Sequence, residues 1–336
     1  MDADKAGRVK MWRMSLAVRA VVVTYNRKAL LVECVQAILA QTTPVRDVLV
    51  VDNASTDGTR EHLEAAGLLA HERLAYRRLE SNLGSSGGFA TGVLAQRDGA
   101  DWVWVMDDDA EPRPDCLQRM LESPAAGAPD VAALCSTVVG ADGHRQALHR
   151  GTLDGRPAPL PEAAYERDAV DVGFATFVGL LVRGDVAREL GAPKAELFMW
   201  ADDYEYCLRL HGRGRIVLVP RSVIRHKDLA PTFSTRRAKA FNRLLGWDYH
   251  ATPYEGAWRN FCGIRNYVWM KREHQGLTPG GLGLIVAQFV AKALMYDERP
   301  FRRIPWLLRF ARDGWRGRFV NIPPEEWVAR VRAGEV

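Results

Sequence analysis

The chain has 336 residues, of which 47% are apolar and 26% charged, with a formal net charge of +5 and a pI of about 9.0. That balance excludes a disordered or fibrous chain and describes a globular one, long enough for one large domain with an extension. The basic excess suits an anionic small ligand, an anionic membrane surface or nucleic acid equally well. The cysteines Cys34, Cys116, Cys135, Cys207 and Cys262 are scattered and form no CxxC pair. A disulfide framework or a zinc site is therefore not expected, and a reducing, cytoplasmic setting is. Residues 1–16 read as a polar tail that lacks the apolar core of a signal peptide.

In chain order, Ala17 to Val23 is an apolar run that predicts a buried strand, ending at Thr24-Tyr25-Asn26-Arg27. Leu31, Cys34, Val35, Ile38 and Leu39 recur at helical spacing and predict a helix over Leu30 to Gln41. Asp47 to Val51 predicts a second strand, Asn53 to Gly58 a turn and Thr59 to Ala66 a helix. A third strand follows at Leu74 to Leu79. After it come a glycine-rich stretch, Ser81 to Gly88, and a helix over Phe89 to Arg97. Trp102 to Met106 is a fourth strand, stopped by three acids. This alternation predicts an α/β fold: a mostly parallel, Rossmann-like mixed sheet with helices on both faces. Its ligand crevice would lie beyond the carboxyl ends of the strands, where the polar segments converge. Ala141 to Asp171 reads as an irregular excursion or small hairpin, Val172 to Val182 as a return to the core, and Ile216 to Val219 as another strand. A catalytic domain is expected over residues 17–230, with a helical extension rich in Arg and Trp over 231–336.

The acids Asp107-Asp108-Asp109 end a strand, so Asp107 and Asp109 are expected on one face. Two carboxylates there suit Mn²⁺ or Mg²⁺ together with substrate phosphates, although a solvated acidic turn has the same sequence. The run Asn82-Leu83-Gly84-Ser85-Ser86-Gly87-Gly88-Phe89 would let the backbone approach a phosphate or ribose through Gly84 and Gly87, or simply cap a helix. Asp52, after Val48-Leu49-Val50-Val51, can accept a hydrogen bond from a base or a ribose, and Thr24, Asn26 and Arg27 could line the same nucleotide. In Trp200-Ala201-Asp202-Asp203-Tyr204-Glu205, Asp202 suits an N-cap and Trp200 a sugar face, and Asp203 suits a general base on an acceptor hydroxyl. His226 is a candidate third metal ligand or an ordinary structural histidine.

Together these residues resemble the family 2 glycosyltransferases of GT-A fold, over about Ala17 to Trp269. The resemblance rests on the order Val22-Val23-Thr24-Tyr25-Asn26-Arg27, Val51-Asp52-Asn53-Ala54-Ser55-Thr56-Asp57-Gly58-Thr59, Asn82-Leu83-Gly84, the acidic triplet, the Asp202-Asp203 pair and the late His226. The extended glycine run, Trp200 to Glu205, and Trp258-Arg259-Asn260-Phe261-Cys262-Gly263-Ile264-Arg265-Asn266 are most similar to galactofuranosyltransferases and related rhamnosyltransferases. The resemblance implies a metal-dependent, inverting sugar transfer from a UDP- or dTDP-sugar to a glycan or polyprenyl-linked acceptor. Asp107 and Asp109 would bind metal and donor diphosphate, and Asp108, Trp200 and Asp202 would join Asp107 in binding the nucleotide-sugar. His226 would complete the metal shell, Asp203 would be the base, and Arg265 and Asn266 would help close the site. Ser85-Ser86 departs from the pattern where relatives often carry another glycine. Rival readings are a sugar nucleotidyltransferase, whose basic glycine-rich N-terminal loop is not found, and a non-catalytic nucleotide-sugar binder, against which the intact acids speak. Nucleic acid is not expected, because the basic residues are dispersed and form no known module.

Leu282 to Met295 is shorter than the roughly 20 apolar residues a membrane span requires. The following Arg299-Pro300-Phe301-Arg302-Arg303-Ile304-Pro305-Trp306-Leu307-Leu308-Arg309-Phe310 interleaves basic and apolar residues. That pattern fits a peripheral helix on an anionic membrane face, and equally one packed on the catalytic domain or on a second copy in a homo-oligomer.

Overall fold

The computed structural model describes residues 16–152, 158–227, 233–246 and 249–336. Most of the polar tail expected over residues 1–16 lies outside them, as does the boundary expected near residue 230. The chain divides into two compact units: residues 1–195 with 202–228, and residues 196–201 with 229–336.

In the first unit the elements run β1 (Val18–Thr24), α1 (Lys28–Leu39), β2 (Asp47–Asp52), α2 (Thr59–Ala65), β3 (Leu74–Arg78), α3 (Gly84–Gln96), β4 (Trp102–Asp107), β5 (Ala110–Pro112) and α4 (Cys116–Glu122). They continue with β6 (Val131–Val139), β7 (Arg150–Thr152), β8 (Ala158–Pro159), β9 (Val170–Val172), β10 (Phe174–Ala175), β11 (Leu180–Arg183), α5 (Gly184–Leu190), α6 (Asp202–His211) and β12 (Arg215–His226). The main sheet has the order β3-β2-β1-β4-β11-β6-β12-β5, with β9 also on β12. Its first four strands are parallel, β11 is antiparallel to β4 and β6, and β12 is parallel to β6. The sheet is therefore mixed, with its antiparallel pairings contributed by the later strands. β10, β7 and β8 form a small separate sheet in the excursion after β6.

β1 is buried on both faces. Val21 and Val23 pack with Phe89 and Val93 of α3 on one side, and Ala20 and Val22 pack with Leu31, Val35 and Ile38 of α1 on the other. This explains why its sequence is a continuous apolar run rather than an alternation.

Two expectations need correction. The segment from Ser81 to Gly88 is not a loop throughout, because α3 begins at Gly84. A Cβ on Gly88 would lie 2.5 Å from Val23 Cγ1 and 2.9 Å from Asn53 Nδ2, and one on Gly92 would be closer still to Val21. These glycines let α3 press against β1, so helix–sheet packing accounts for part of the glycine run. The strand expected to end at Val219 continues to His226 as β12. Pro220, which has no N–H to donate, sits in a register shift between Val219 and Val223, and pairing with β6 resumes at Val223–Thr137.

The second unit is helical: α7 (Arg236–Leu245), α8 (Ala257–Gln275), α9 (Pro279–Met295), α10 (Pro300–Trp315) and α11 (Pro324–Ala333). Its core gathers Phe261, Ile264 and Val268 of α8, Leu307 and Phe310 of α10, and Trp327 of α11. Among the described residues no helix is long and apolar enough to cross a membrane. One face of α10 is thus packed, while Phe301 and Leu308 on it, and Leu284 on α9, stay exposed.

Candidate active site

β4 delivers Asp107 to the carboxyl edge of the sheet, and the turn Asp108-Asp109 leads into β5. Strand alternation was expected to put Asp107 and Asp109 on one face. The strand stops at Asp107, so the turn is what brings Asp109 back to the same rim. β12 pairs antiparallel with β5 and sets His226 opposite Ala110. Asp107, Asp109 and His226 thereby offer ligand atoms within 4.8 Å of one another, a group that could hold a metal ion. His226 Nε2 lies 3.2 Å from Asp109 Oδ1. Two carboxylate oxygens and an imidazole nitrogen suit a divalent cation such as Mn²⁺ better than a soft one.

The acids are crowded. Burial, reinforced by Asp109, pushes Asp107 up to about 8. Burial also pushes Asp108 up to about 7, against the pull of Arg27. Asp109 lies below its ordinary value: burial opposes its ionisation, but His226 and Arg27 outweigh that. Arg27 Nη1 donates to Asp109 Oδ2 at 2.5 Å and to Asp108 Oδ1 at 3.4 Å, and the Thr24 hydroxyl donates to Asp108 Oδ2 at 2.7 Å. Arg27 and Thr24, expected at the nucleotide, thus serve the acidic triplet in this structure. A divalent cation would relieve the remaining like-charge repulsion.

The acid pair opening α6 belongs to the same unit. Asp202 is the first residue of the helix rather than the cap before it. Its buried carboxylate meets the Ser85 hydroxyl at 3.5 Å, and burial raises its pKa. Its charge also reaches Asp107 and makes that group harder to ionise. Asp203 is half-buried and accepts the Tyr204 N–H at 2.7 Å. Burial, then the charge of Asp202, push it up to about 7.

The other nucleotide candidates are tied down locally. Asp52 is buried, accepting the Ser55 N–H at 2.8 Å through one oxygen and the Tyr76 hydroxyl through the other. Asn26, in the left-handed region at φ 54°, accepts the Thr56 N–H at 2.7 Å. Asn82 turns its amide oxygen to the Gly84 N–H at 2.8 Å, and the Gly84 carbonyl accepts from Asn53 Nδ2 at 3.0 Å. The open side of Gly87 faces Leu83 of its own turn.

Trp200, Arg265 and Asn266 belong to the second unit. Trp200 is exposed and lies over Gly263, where a Cβ would meet its ring. Arg265 and Asn266, expected to close over phosphates, are instead fully buried and bonded to protein. Arg265 donates to Leu197 O and Val320 O, each at 2.9 Å. Asn266 Nδ2 lies 2.8 Å from each of the carbonyls of Leu197, Met199 and Trp200. Together they hold a strained segment in which Phe198, Trp200 and Ala201 have φ of 65°, 68° and 65°. This segment continues in the chain directly into Asp202.

Sequence reasoning missed Tyr76, Gln146, His149 and the buried Arg150. Gln146 Oε1 lies 2.9 Å from His226 Nδ1, and Arg150 donates to the carbonyls of Ser136, His149 and Val178 at 2.8, 2.7 and 2.6 Å. Burial, with help from Arg150, pushes His149 down to about 3. These residues lie in or beside the excursion after β6, where no periodicity marks a polar side chain as inward-facing. Tyr76 was hidden inside a strand.

Residues 20–191, more than half of the chain, match the family model described as glycosyl transferase family 2. The chain is 33% identical over 202 residues to the galactofuranosyltransferase GlfT1 of Mycolicibacterium smegmatis, a match covering 58% of this chain and 65% of that enzyme. It is 32% identical over 208 residues to GlfT1 of Mycobacterium tuberculosis, covering 60% and 66%. The match therefore spans slightly less than two thirds of these relatives. Among solved structures, the mannosyltransferase PcManGT of Pyrobaculum calidifontis, in complex with GDP-Man and Mn²⁺, superposes with a TM-score of 0.51 at 18% identity, over 98% of this chain and 86% of that one. GalNAc-T7 with UDP, GalNAc and Mn²⁺ gives 0.53 at 15% identity, over 82% and 55%. These likenesses show the shared GT-A fold, and with the family match over the strands that carry Thr24, Asp52 and the acidic triplet, the chain belongs to glycosyltransferase family 2.

Proposed function

We propose that the protein is a metal-dependent, inverting glycosyltransferase that moves a sugar from a nucleotide-sugar donor to a hydroxyl of a glycan or lipid-linked acceptor. The observation that carries this is the Asp107, Asp109 and His226 cluster, set in the same unit as Asp203. Similarity to the galactofuranosyltransferase GlfT1 favours galactofuranose over rhamnose as the sugar transferred.

Asp107, Asp109 and His226 would hold Mn²⁺ or Mg²⁺, which supplies charge neutralisation for the departing nucleotide diphosphate. Arg27, exposed and paired with Asp109, would turn toward an arriving diphosphate. Thr24, Asp52 and Asn26 shape the loops at the ends of β1 and β2 that would border the nucleotide, with Asn82, Gly84 and Gly87 at the start of α3. Asp203 takes the proton of the acceptor hydroxyl as that oxygen bonds the anomeric carbon, while the bond from that carbon to the diphosphate breaks. Attack from the face opposite the leaving group inverts the centre. A base near 7 combines a large ionised fraction at neutral pH with useful proton affinity.

Nucleotide release from a panel of nucleotide sugars, with Mn²⁺, Mg²⁺ or chelator and with polyprenyl-linked or glycan acceptors, tests the reading. Metal-dependent release from one donor supports it; release unaffected by chelator refutes the metal role. The exposed Phe301 and Leu308, next to Arg302 and Arg309, also support peripheral contact with an anionic membrane. Vesicles of anionic lipid should retain the wild type and lose Phe301→Asp/Leu308→Asp; equal retention of the two would exclude that contact.

A further inference from the structure

His226 has two ring nitrogens, and only a lone pair can bind a cation. Which one is free depends on what the other does. Nδ1 lies 2.9 Å from Gln146 Oε1, an oxygen that can only accept. The amide is not free to turn over, because Gln146 Nε2 points at the His226 carbonyl at 3.4 Å. The same Oε1 lies 2.9 Å from His149 Nε2, and His149 Nδ1 lies 2.8 Å from the Thr176 hydroxyl. One assignment satisfies the contacts around Gln146. Thr176 donates to His149 Nδ1, His149 Nε2–H donates to Gln146 Oε1, and His226 Nδ1–H donates to that same oxygen. With Nδ1 engaged in this way, the nitrogen that can turn a lone pair to a cation is Nε2, which lies 3.2 Å from Asp109 Oδ1 at the metal cluster; the proton it shares with Asp109 in the metal-free protein would give way to the cation. The His149 ring, 4.8 Å from that of His226 at 67°, packs edge-on and limits its swing. The Gln146 backbone is fixed in turn by its N–H to Val138 O at 3.0 Å.

We propose that Gln146, braced by His149 and Thr176, is a positioning residue that locks His226 in its Nδ1–H tautomer and presents Nε2 to the divalent cation. This rests on the metal reading of the Asp107, Asp109 and His226 cluster. It gives the excursion after β6 a part in the site that neither its sequence nor the acidic triplet announces.

The test is Mn²⁺ affinity, read from the electron paramagnetic resonance signal of free Mn²⁺ in the presence of UDP, for the full chain and three variants. Gln146→Met keeps the volume and removes the acceptor, and should weaken Mn²⁺ binding by about 10–100-fold. Gln146→Glu keeps an acceptor toward Nδ1 and should stay within about threefold of the wild type, a rescue that a packing role would not produce. His226→Ala separates the two readings. If it weakens Mn²⁺ while Gln146→Met does not, the cation site stands and the positioning role falls. If His226→Ala has no effect, or the wild type holds no Mn²⁺, the metal reading falls and this inference with it. Should Gln146→Met fail to fold, the ¹⁵N shifts of the wild-type His226 ring, assigned by their loss in His226→Gln, decide instead. The Nδ1–H pattern supports the proposal and the Nε2–H pattern overturns it.

Discussion

Several buried charged groups of the two units face different neighbours. In the helical unit Arg265 and Arg303 are both buried, yet Arg303 donates to Glu298 O and Thr252 O at 2.6 Å, and Arg265 has its own carbonyls at Leu197 and Val320. Asp297 likewise accepts the Thr252 N–H at 2.9 Å and Asn260 Nδ2 at 3.2 Å. In the α/β unit, burial sets acids against acids: Asp107 against Asp109, and Asp202 against Asp203. Buried polar groups that are satisfied rigidify a structure. Buried like charges destabilise it and persist where a ligand is to complete them. On the proposed function, substitutions at Arg265 and Asn266 should fail in stability assays and substitutions at the acids in activity assays.

The largest expected effect is at Asp203. Asp203→Asn should lower kcat by about 10²–10⁴-fold with donor affinity little changed, measured by turnover and by calorimetry with the nucleotide sugar. A parallel loss of donor affinity would move Asp203 to the structural side of the comparison. Next is Asn266→Leu, which strips the Met199 and Trp200 carbonyls of this donor, leaves Leu197 O to Arg265 alone, and frees a strained segment. It should cost about 2–4 kcal/mol in urea unfolding, whereas an unchanged midpoint would show that Arg265 alone holds residues 197–200.

The pH profile is a gentler probe. If Asp203 is the base it must be ionised to act, and with burial holding it at about 7, kcat/KM should fall about tenfold per pH unit below that value and level off above it. A flat profile between pH 5 and 8 would remove Asp203 as the base. The smallest effect is at Asp107. In metal-free protein its folded-state pKa of about 8 exceeds the ordinary carboxylate value of about 3.9, so the native state holds a proton that the unfolded chain releases. Stability contributed by that proton is present at low pH and lost as pH rises through about 8. Asp107→Asn should therefore melt about 2 °C higher than the wild type in chelator at pH 8, and nearly with it at pH 5. It should also lose the stabilisation that Mn²⁺ gives the wild type. A lower melting temperature at pH 8 would show that Asp107 is satisfied in some other way.

The alternating apolar runs determined the first four strands and their helices, because a strand packed on both faces, such as Ala20–Val23 within Val18–Thr24, reads as a continuous apolar run. Asp107 and Asp109 stood out because a carboxylate after a buried strand has few structural uses, whereas His226 was singled out only by its place in the family's order of motifs. Tertiary structure alone decided the rest. Whether Gly88 and Gly92 meet a phosphate or a neighbouring strand depends on where α3 lies, and they meet Val23 and Val21. Whether β12 survives Pro220 depends on a register shift that only its partner β6 can absorb. The partner of His226 across the site is Gln146, 80 residues earlier in the chain. No local period encodes such a pairing, because hydrogen bonds between distant loops are chosen by the fold that brings them together.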